Sequence, residues 1–65
     1  MAKLSELYGD DISDFEELLS DASAAASTQW EMDFVEELEE RYEIYGVDMF
    51  LSDKQSDVLE RIANQ

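Results

Sequence analysis

The stretch from Thr28 to Gly46, TQWEMDFVEELEERYEIYG, decides the fold because it contains both a helix start and a helix stop. Thr28-Gln29-Trp30-Glu31 has the form of a capping box, in which the Thr and Glu side chains each accept a hydrogen bond from the other residue's backbone N–H. Gly46 can take the positive φ that commonly ends a helix. We therefore predict a helix over 29–45, the longest in the chain.

The apolar and acidic residues of this predicted helix separate onto two sides at about 100° per residue. One arc has Val35 at its border and holds five large side chains: Trp30, Phe34, Leu38, Tyr42 and Tyr45. The opposite side holds the carboxylate row, flanked by Glu37 and Glu39, which we define as Asp33, Glu36, Glu40 and Glu43. The wheel thus predicts a core-facing arc and a solvent-facing acidic side.

Two further capping boxes mark the other main helices. Ser13-Asp14-Phe15-Glu16 opens a predicted helix over 13–26, and Ser52-Asp53-Lys54-Gln55 opens one over 53–64. The segment 2–8, which ends at Gly9, favours a short N-terminal helix, and no period-2 run of β-branched residues reaches strand length. The sequence predicts an all-α protein, a compact bundle of three main helices forming a single acidic domain over 1–65.

The composition excludes several classes of function. The chain has no cysteine and no histidine, which removes disulfides, the common zinc ligands and the usual Ser-His-Asp triad. Its acids do not follow the order of a calcium loop, and so small a bundle leaves little room for a catalytic carboxylate cleft. An acyl carrier needs Asp-Ser-Leu, and that tripeptide is absent. We therefore expect no enzyme, no metal site and no cofactor.

The net charge narrows the class of partner. Eighteen Asp and Glu residues oppose four Lys and Arg residues, for a net charge of −14 at pH 7. Such a surface is repelled by nucleic-acid phosphates and anionic membranes and attracted to basic surfaces. There is no apolar run of the roughly 18 residues that a membrane span needs, and no apolar signal-peptide segment. We expect a cytoplasmic protein with a basic nucleic-acid-binding protein as partner, and so small a core also allows a homodimer.

The carboxylate row is the main candidate for binding. Residues three or four apart on a helix lie about 5–6 Å from each other, so the row can offer an anion array that resembles a nucleic-acid backbone. Acid pairs at this spacing, such as Glu36 with Glu40, destabilise a helix, and a net charge of magnitude about 2–8 is enough for solubility. Both points favour a binding role over a solvated helix side that is merely acidic.

The chain also resembles a known class of proteins. The pattern W-x-x-D-F-V-x-x-L at Trp30 to Leu38, with Tyr45-Gly46 and then LSDKQSDVLERIA at Leu51 to Ala63, looks like the closing segment of various small phage proteins and covers about half of the chain. Small, acidic, cysteine-free proteins of phages and mobile elements often inhibit host defence nucleases. Anti-CRISPR proteins and anti-restriction proteins that mimic DNA belong to this class.

The resemblance implies a non-enzymatic inhibitor in the host bacterial cytoplasm. It would mimic DNA and occlude the basic nucleic-acid-binding groove of a defence complex, of which a CRISPR effector is the first candidate. Association of the inhibitor with this target would be fast and sensitive to salt. The residues that would bind the target are Asp33, Glu36, Glu37, Glu40 and Glu43, and the acids that would extend this surface are Asp10, Asp11, Asp14, Glu17 and Asp21.

Two other interpretations are compatible with the sequence. The apolar connection 47–51, VDMFL, is expected to run over the core, where an exposed Met49 or Phe50 could bind a partner. The chain would then be a small helical adaptor or structural protein whose acids serve solubility. Alternatively, an ordinary protein of a salt-rich cytoplasm would be this acidic and would lose its stability below molar salt.

Overall fold

The computed structural model describes residues 2–65, and these residues have the all-α architecture that the sequence predicts. Two-residue strands, β1 (Ala2–Lys3) and β2 (Phe50–Leu51), pair antiparallel, with Ala2 opposite Leu51 and Lys3 opposite Phe50. A single 3-10 turn covers Gly46–Asp48. In chain order the elements are β1 (Ala2–Lys3), α1 (Leu4–Tyr8), α2 (Ile12–Ala25), α3 (Gln29–Tyr45), β2 (Phe50–Leu51) and α4 (Asp53–Ala63).

Two of the three predicted capping boxes form. The Thr28 hydroxyl accepts the Glu31 N–H at 3.1 Å while the Glu31 carboxylate accepts the Thr28 N–H at 3.2 Å. Ser52 and Gln55 make the same reciprocal pair at the start of α4. The predicted box at Ser13 is wrong, because α2 already begins at Ile12 and has no side-chain cap. There the backbone closes the first turn, with the Asp14 N–H donating to the Asp11 carbonyl at 2.9 Å.

The core lies between α2 and the elements around it. Phe15 of α2 is fully buried, and its ring contacts Tyr8 and Tyr42, with centroids 5.5 Å and 5.4 Å away. The inner faces of α2 and α4 bury Leu19, Ala22, Leu59 and Ile62 beside Phe15. The buried residues are Leu4, Phe15, Leu19, Ala22, Val35, Leu38, Met49, Leu51, Leu59 and Ile62.

The third helix turns a different arc to the core from the one that the wheel predicts. Val35, predicted at the border, is only 2% exposed, whereas Trp30 and Tyr45 are 62% and 60% exposed. Two small residues, Ser23 of α2 and Ala26 directly after it, lie beside Val35. Because they leave room on that side, α3 packs with Val35 inward, and the prediction that Trp30 and Tyr45 join the core is wrong.

The connection after α3 alternates between buried and exposed residues. Gly46 has φ +58°, which confirms the predicted helix stop. Met49 and Leu51 are buried, while Phe50 between them is 51% exposed, as expected where neighbouring residues of a strand point to opposite faces. Phe50, but not Met49, is therefore available to a partner. The sequence does not predict this strand pair, because two residues are too few to show a period and their partners lie at the other end of the chain.

Candidate protein-binding surface

The carboxylate row lies on the side of α3 that faces away from the core. Its four members are exposed, whereas Val35 and Leu38 are buried on the opposite side of the helix. The row runs from Asp33 to Glu43, which at the rise of an α-helix is roughly 15 Å. It is therefore a straight array of carboxylates held by one long helix.

The row has little neutralising charge close to it. Arg41 donates to the Glu37 carboxylate at 2.7 Å, and both side chains are about half exposed. Within residues 2–65 the ion pairs are this one and Arg61 with Asp57, so the row itself contains none. Asp33 accepts a hydrogen bond from the Gln29 side chain at 2.9 Å, which orients the carboxylate and leaves its charge in place.

The acids of α2 form a second, separate row. Asp14, Glu17 and Asp21 follow each other at spacings of three and four, so they lie along one side of α2. Burial raises the pKa of Tyr8, and the negative charges of Glu60 and Asp14 raise it further, so Asp14 lies near the Tyr8 side chain of α1. Asp10 and Asp11 are exposed in the turn before α2.

This second row does not extend the first one directly. Glu16 is the acid of α2 that faces α3, since its carboxylate accepts the Tyr42 hydroxyl at 3.2 Å. Residues two apart on a helix point about 200° away from each other, so Asp14 lies on a different flank of α2. The ten predicted binding residues are all exposed, but they do not form one surface: Glu37 is paired with Arg41 beside the carboxylate row, and the acids of residues 10–21 lie away from that row.

Glu16 and Glu39 stand between the two helices, and sequence reasoning did not include them among the binding residues. Together with Tyr42 they line a shallow groove whose floor is made of small side chains, among them Ser20, Ser23 and Ala24. Burial and the hydrogen bond to Glu16 raise the pKa of Tyr42. The run of small residues at 20–27 is the sequence signal for this groove, because small side chains on one helix leave space beside its neighbour.

Glu31 has a structural role. It accepts hydrogen bonds from the Ser27 backbone at 2.9 Å and from the Gln65 side chain at 3.0 Å, so it joins the turn before α3 to the C-terminal end of α4. These bonds lower the pKa of Glu31 to about 2, the Ser27 backbone N–H having the largest effect. The Glu31 carboxylate therefore stabilises the fold through these hydrogen bonds.

Aromatic residues lie on another side of the bundle, which we call the aromatic side. We define it by the exposed Trp30 and Tyr45 and the half-buried Phe34 of α3, together with the exposed Phe50 of β2. Trp30 stacks on Phe34 with ring centroids 5.5 Å apart. Two adjoining hollows that share Gln55 run along this side.

Three of the four basic residues of the chain lie on the aromatic side. Lys54 lines the hollow beside Trp30, Arg41 lines the hollow beside Tyr45, and the Lys3 ammonium is 5.9 Å from the centre of the Phe50 ring. That last distance is within the range of a cation–π interaction. Arg41 and the carboxylate row thus lie on different sides of α3, and Lys3 of β1 and Lys54 of α4 lie on the same side as Arg41.

Comparison with known proteins identifies no relative, since no family model matches the chain and no curated protein or solved structure matches it significantly. Residues 2–65 contain no cluster of acids arranged to hold a metal ion. Nor does any helix in this part of the chain combine the length and hydropathy needed to cross a bilayer. The charge and shape of the surface are therefore the features that bear on function.

Proposed function

We propose that this protein is a non-enzymatic inhibitor that places the carboxylate row in the basic nucleic-acid-binding groove of another protein and so excludes nucleic acid from it. The observation that carries the proposal is the separation of positive and negative charge around α3. The row is exposed and contains no cation, whereas Arg41, Lys3 and Lys54 lie on the aromatic side.

The dimensions of the row suit a groove that holds one DNA strand. Phosphates of one strand rise by about 3.4 Å along the helix axis, and neighbouring carboxylates three or four residues apart on an α-helix are about 5–6 Å from each other. A row of roughly 15 Å therefore spans about four phosphates. Lys and Arg side chains of the target, which are long and flexible, can follow such an array.

The inhibitor acts by occupancy and forms no covalent bond. Its net charge of −14 steers it towards a positively charged channel, which accelerates the encounter at low salt and makes the association salt-dependent. A CRISPR effector fits the required target, because it holds nucleic acid in a positively charged channel and reads its target through basic side chains. The resemblance to small phage anti-defence proteins favours the same target and a place of action in the bacterial cytoplasm.

A second candidate function rests on Phe50. Phe50 is 51% exposed and lies next to Arg41 and Tyr45. If this chain is an adaptor, Phe50 offers its partner protein an apolar contact. In that case the acids would serve solubility. This function predicts that Phe50→Ala abolishes partner binding and that changes in the carboxylate row do not.

The two functions can be separated in bacteria that carry active CRISPR immunity against a phage. Expression of the chain is expected to restore plaque formation, and the pair Glu36→Lys with Glu40→Lys is expected to abolish this effect. The pair Glu6→Lys with Glu60→Lys is the matched control, since it makes the same charge change outside α3 at exposed residues that take part in neither ion pair of residues 2–65, and it should leave inhibition intact.

Circular dichroism of each purified variant checks that its helix content is unchanged. Full inhibition by the Glu36→Lys, Glu40→Lys protein would contradict the proposal. Loss of inhibition with Phe50→Ala alone would favour the adaptor. Strains with different CRISPR types should be tested in parallel, and failure to restore plaques in all of them would contradict the CRISPR target.

A further inference from the structure

We propose that the aromatic side of α3 is a self-association surface, on which a second copy of the chain packs its own α3 in the antiparallel direction. The two copies are related by a two-fold axis. The association itself does not depend on the proposed function, and it is tested below without any target.

Five side chains of α3 recur at alternating spacings of four and three residues. Trp30, Phe34, Glu37, Arg41 and Ile44 follow each other at spacings of four, three, four and three residues, which is the pattern of helices that pack side by side. We call these five residues the seam. The bundle leaves four of the five seam residues exposed, since Trp30 and Ile44 are 62% and 73% exposed and the Glu37 and Arg41 side chains 60% and 47%, while Phe34 is half-buried against the core.

The seam of one copy is complementary in charge and polarity to the seam of an antiparallel second copy. Its centre carries one acid and one base, and both of its ends are apolar. When two such helices run antiparallel with Glu37 opposite Arg41 of the second copy, the symmetry places Arg41 opposite the second Glu37. The same register sets Phe34 opposite Ile44 at each end and Trp30 opposite position 48 of the other copy, about one helical turn beyond Tyr45. An isologous contact of this kind closes on itself as a dimer.

Charge repulsion limits the surfaces through which two copies can associate. Two copies of a chain with net charge −14 repel each other, so they can dock only where the local charge is small. In the seam Glu37 and Arg41 cancel, and Lys3 and Lys54 lie nearby on the aromatic side. Docking through any surface that includes the carboxylate row would instead bring like charges together.

The dimer would place both carboxylate rows on the same side. The row lies about a quarter turn around α3 from the seam, because Glu40 and Arg41 differ by one residue, or about 100°. A two-fold axis that lies in the interface keeps both rows pointing in one direction. Packed helices are about 8–10 Å apart, so the dimer presents two antiparallel rows side by side. The use of this double row against a target rests on the proposed function.

The test is analytical ultracentrifugation of the full chain over a range of concentrations up to about 1 mM, where even weak association is visible. We expect a monomer–dimer equilibrium that tightens as salt rises from about 0.1 M to about 1 M, because screening reduces the repulsion while apolar contacts persist. Trp30→Ala with Ile44→Ala should weaken the dimer by at least about ten-fold. Met32→Ala is the matched control, since Met32 is 47% exposed on the opposite flank of α3 and should have no effect.

A charge exchange tests the register. Arg41→Glu alone places four acids at the centre of the dimer and should yield a monomer, and adding Glu37→Arg to it should restore the dimer. All these side chains are exposed, so the variants should keep the helix content of the parent in circular dichroism. A chain that is monomeric at every concentration and salt would overturn the proposal. A dimer that is insensitive to the seam variants, or a charge exchange that fails to restore it, would do the same.

Discussion

Replacing Glu36 and Glu40 by Gln should stabilise the fold while it weakens the acidic surface. These two residues take part in five acid pairs at helical spacing of three or four residues: Asp33–Glu36, Glu36–Glu39, Glu36–Glu40, Glu37–Glu40 and Glu40–Glu43. Like-charged pairs at this spacing cost about 0.2–0.5 kcal/mol each. Gln keeps the length and the helix propensity of Glu, so the substitution removes mainly the charge.

The five pairs amount to about 1–2.5 kcal/mol at low salt. We expect the lower end, about 1 kcal/mol, because the row is exposed to solvent and surface charges interact weakly. For a domain of this size that gain raises the melting temperature by about 4–8 °C. It should shrink to less than half at about 1 M salt, where the Debye length is about 3 Å.

The assay is thermal and urea unfolding followed by circular dichroism at low and high salt. Glu37→Gln is the matched control on the same helix, because it removes repulsion from Asp33 and Glu40 but also the 2.7 Å ion pair with Arg41, so its net effect should be close to zero. A double variant that is no more stable than the parent at low salt would refute the reasoning. The carboxylate row would then not lower the free energy of unfolding, and its presence would not need a binding function to explain it.

Two further predictions concern the fold. Because Glu31 has its pKa lowered to about 2 from an ordinary value of 4.5, its ionised form stabilises the protein fully above pH 4.5, and this stabilisation is lost as the pH falls towards 2. Glu31→Gln should therefore lower the melting temperature more at pH 7 than at pH 2, and a Glu31 midpoint near 4.5 in an NMR titration would contradict this. Phe15 is fully buried, so Phe15→Ala should cost about 3–5 kcal/mol and unfold most of the chain. The exposed Phe50→Ala should change stability by less than about 1 kcal/mol in the same urea titration, and equal effects would refute the assigned core.

The helix limits could be predicted from the sequence because they depend on neighbouring residues. Thr28 and Ser52 cap their helices through residues only three positions away, and Gly46 stops α3 through its own backbone freedom. The prediction failed at Ser13, where the start of the helix is one residue earlier and the backbone closes the turn.

The side of α3 that enters the core could not be predicted, because it depends on another helix. A helical wheel assigns Trp30 and Tyr45 to the core because they are hydrophobic. In the structure the small residues Ser23 and Ala26 lie beside Val35, and Val35 points inward instead. The candidate site divides in the same way. The carboxylate row follows from the period of one helix, whereas the separation of the α2 acids from it follows from the packing of α2 on α3, which Glu16 and Tyr42 mark.

The most direct test of the central claim is whether the protein and DNA exclude each other from one groove. A purified CRISPR effector complex, from a type that the plaque assay identifies, is titrated with the protein in the absence and in the presence of bound target DNA. The account predicts that prior DNA binding prevents the protein from binding and that Glu36→Lys with Glu40→Lys removes the affinity for the free complex. Equal affinity of the protein for the free and the DNA-loaded complex would contradict it.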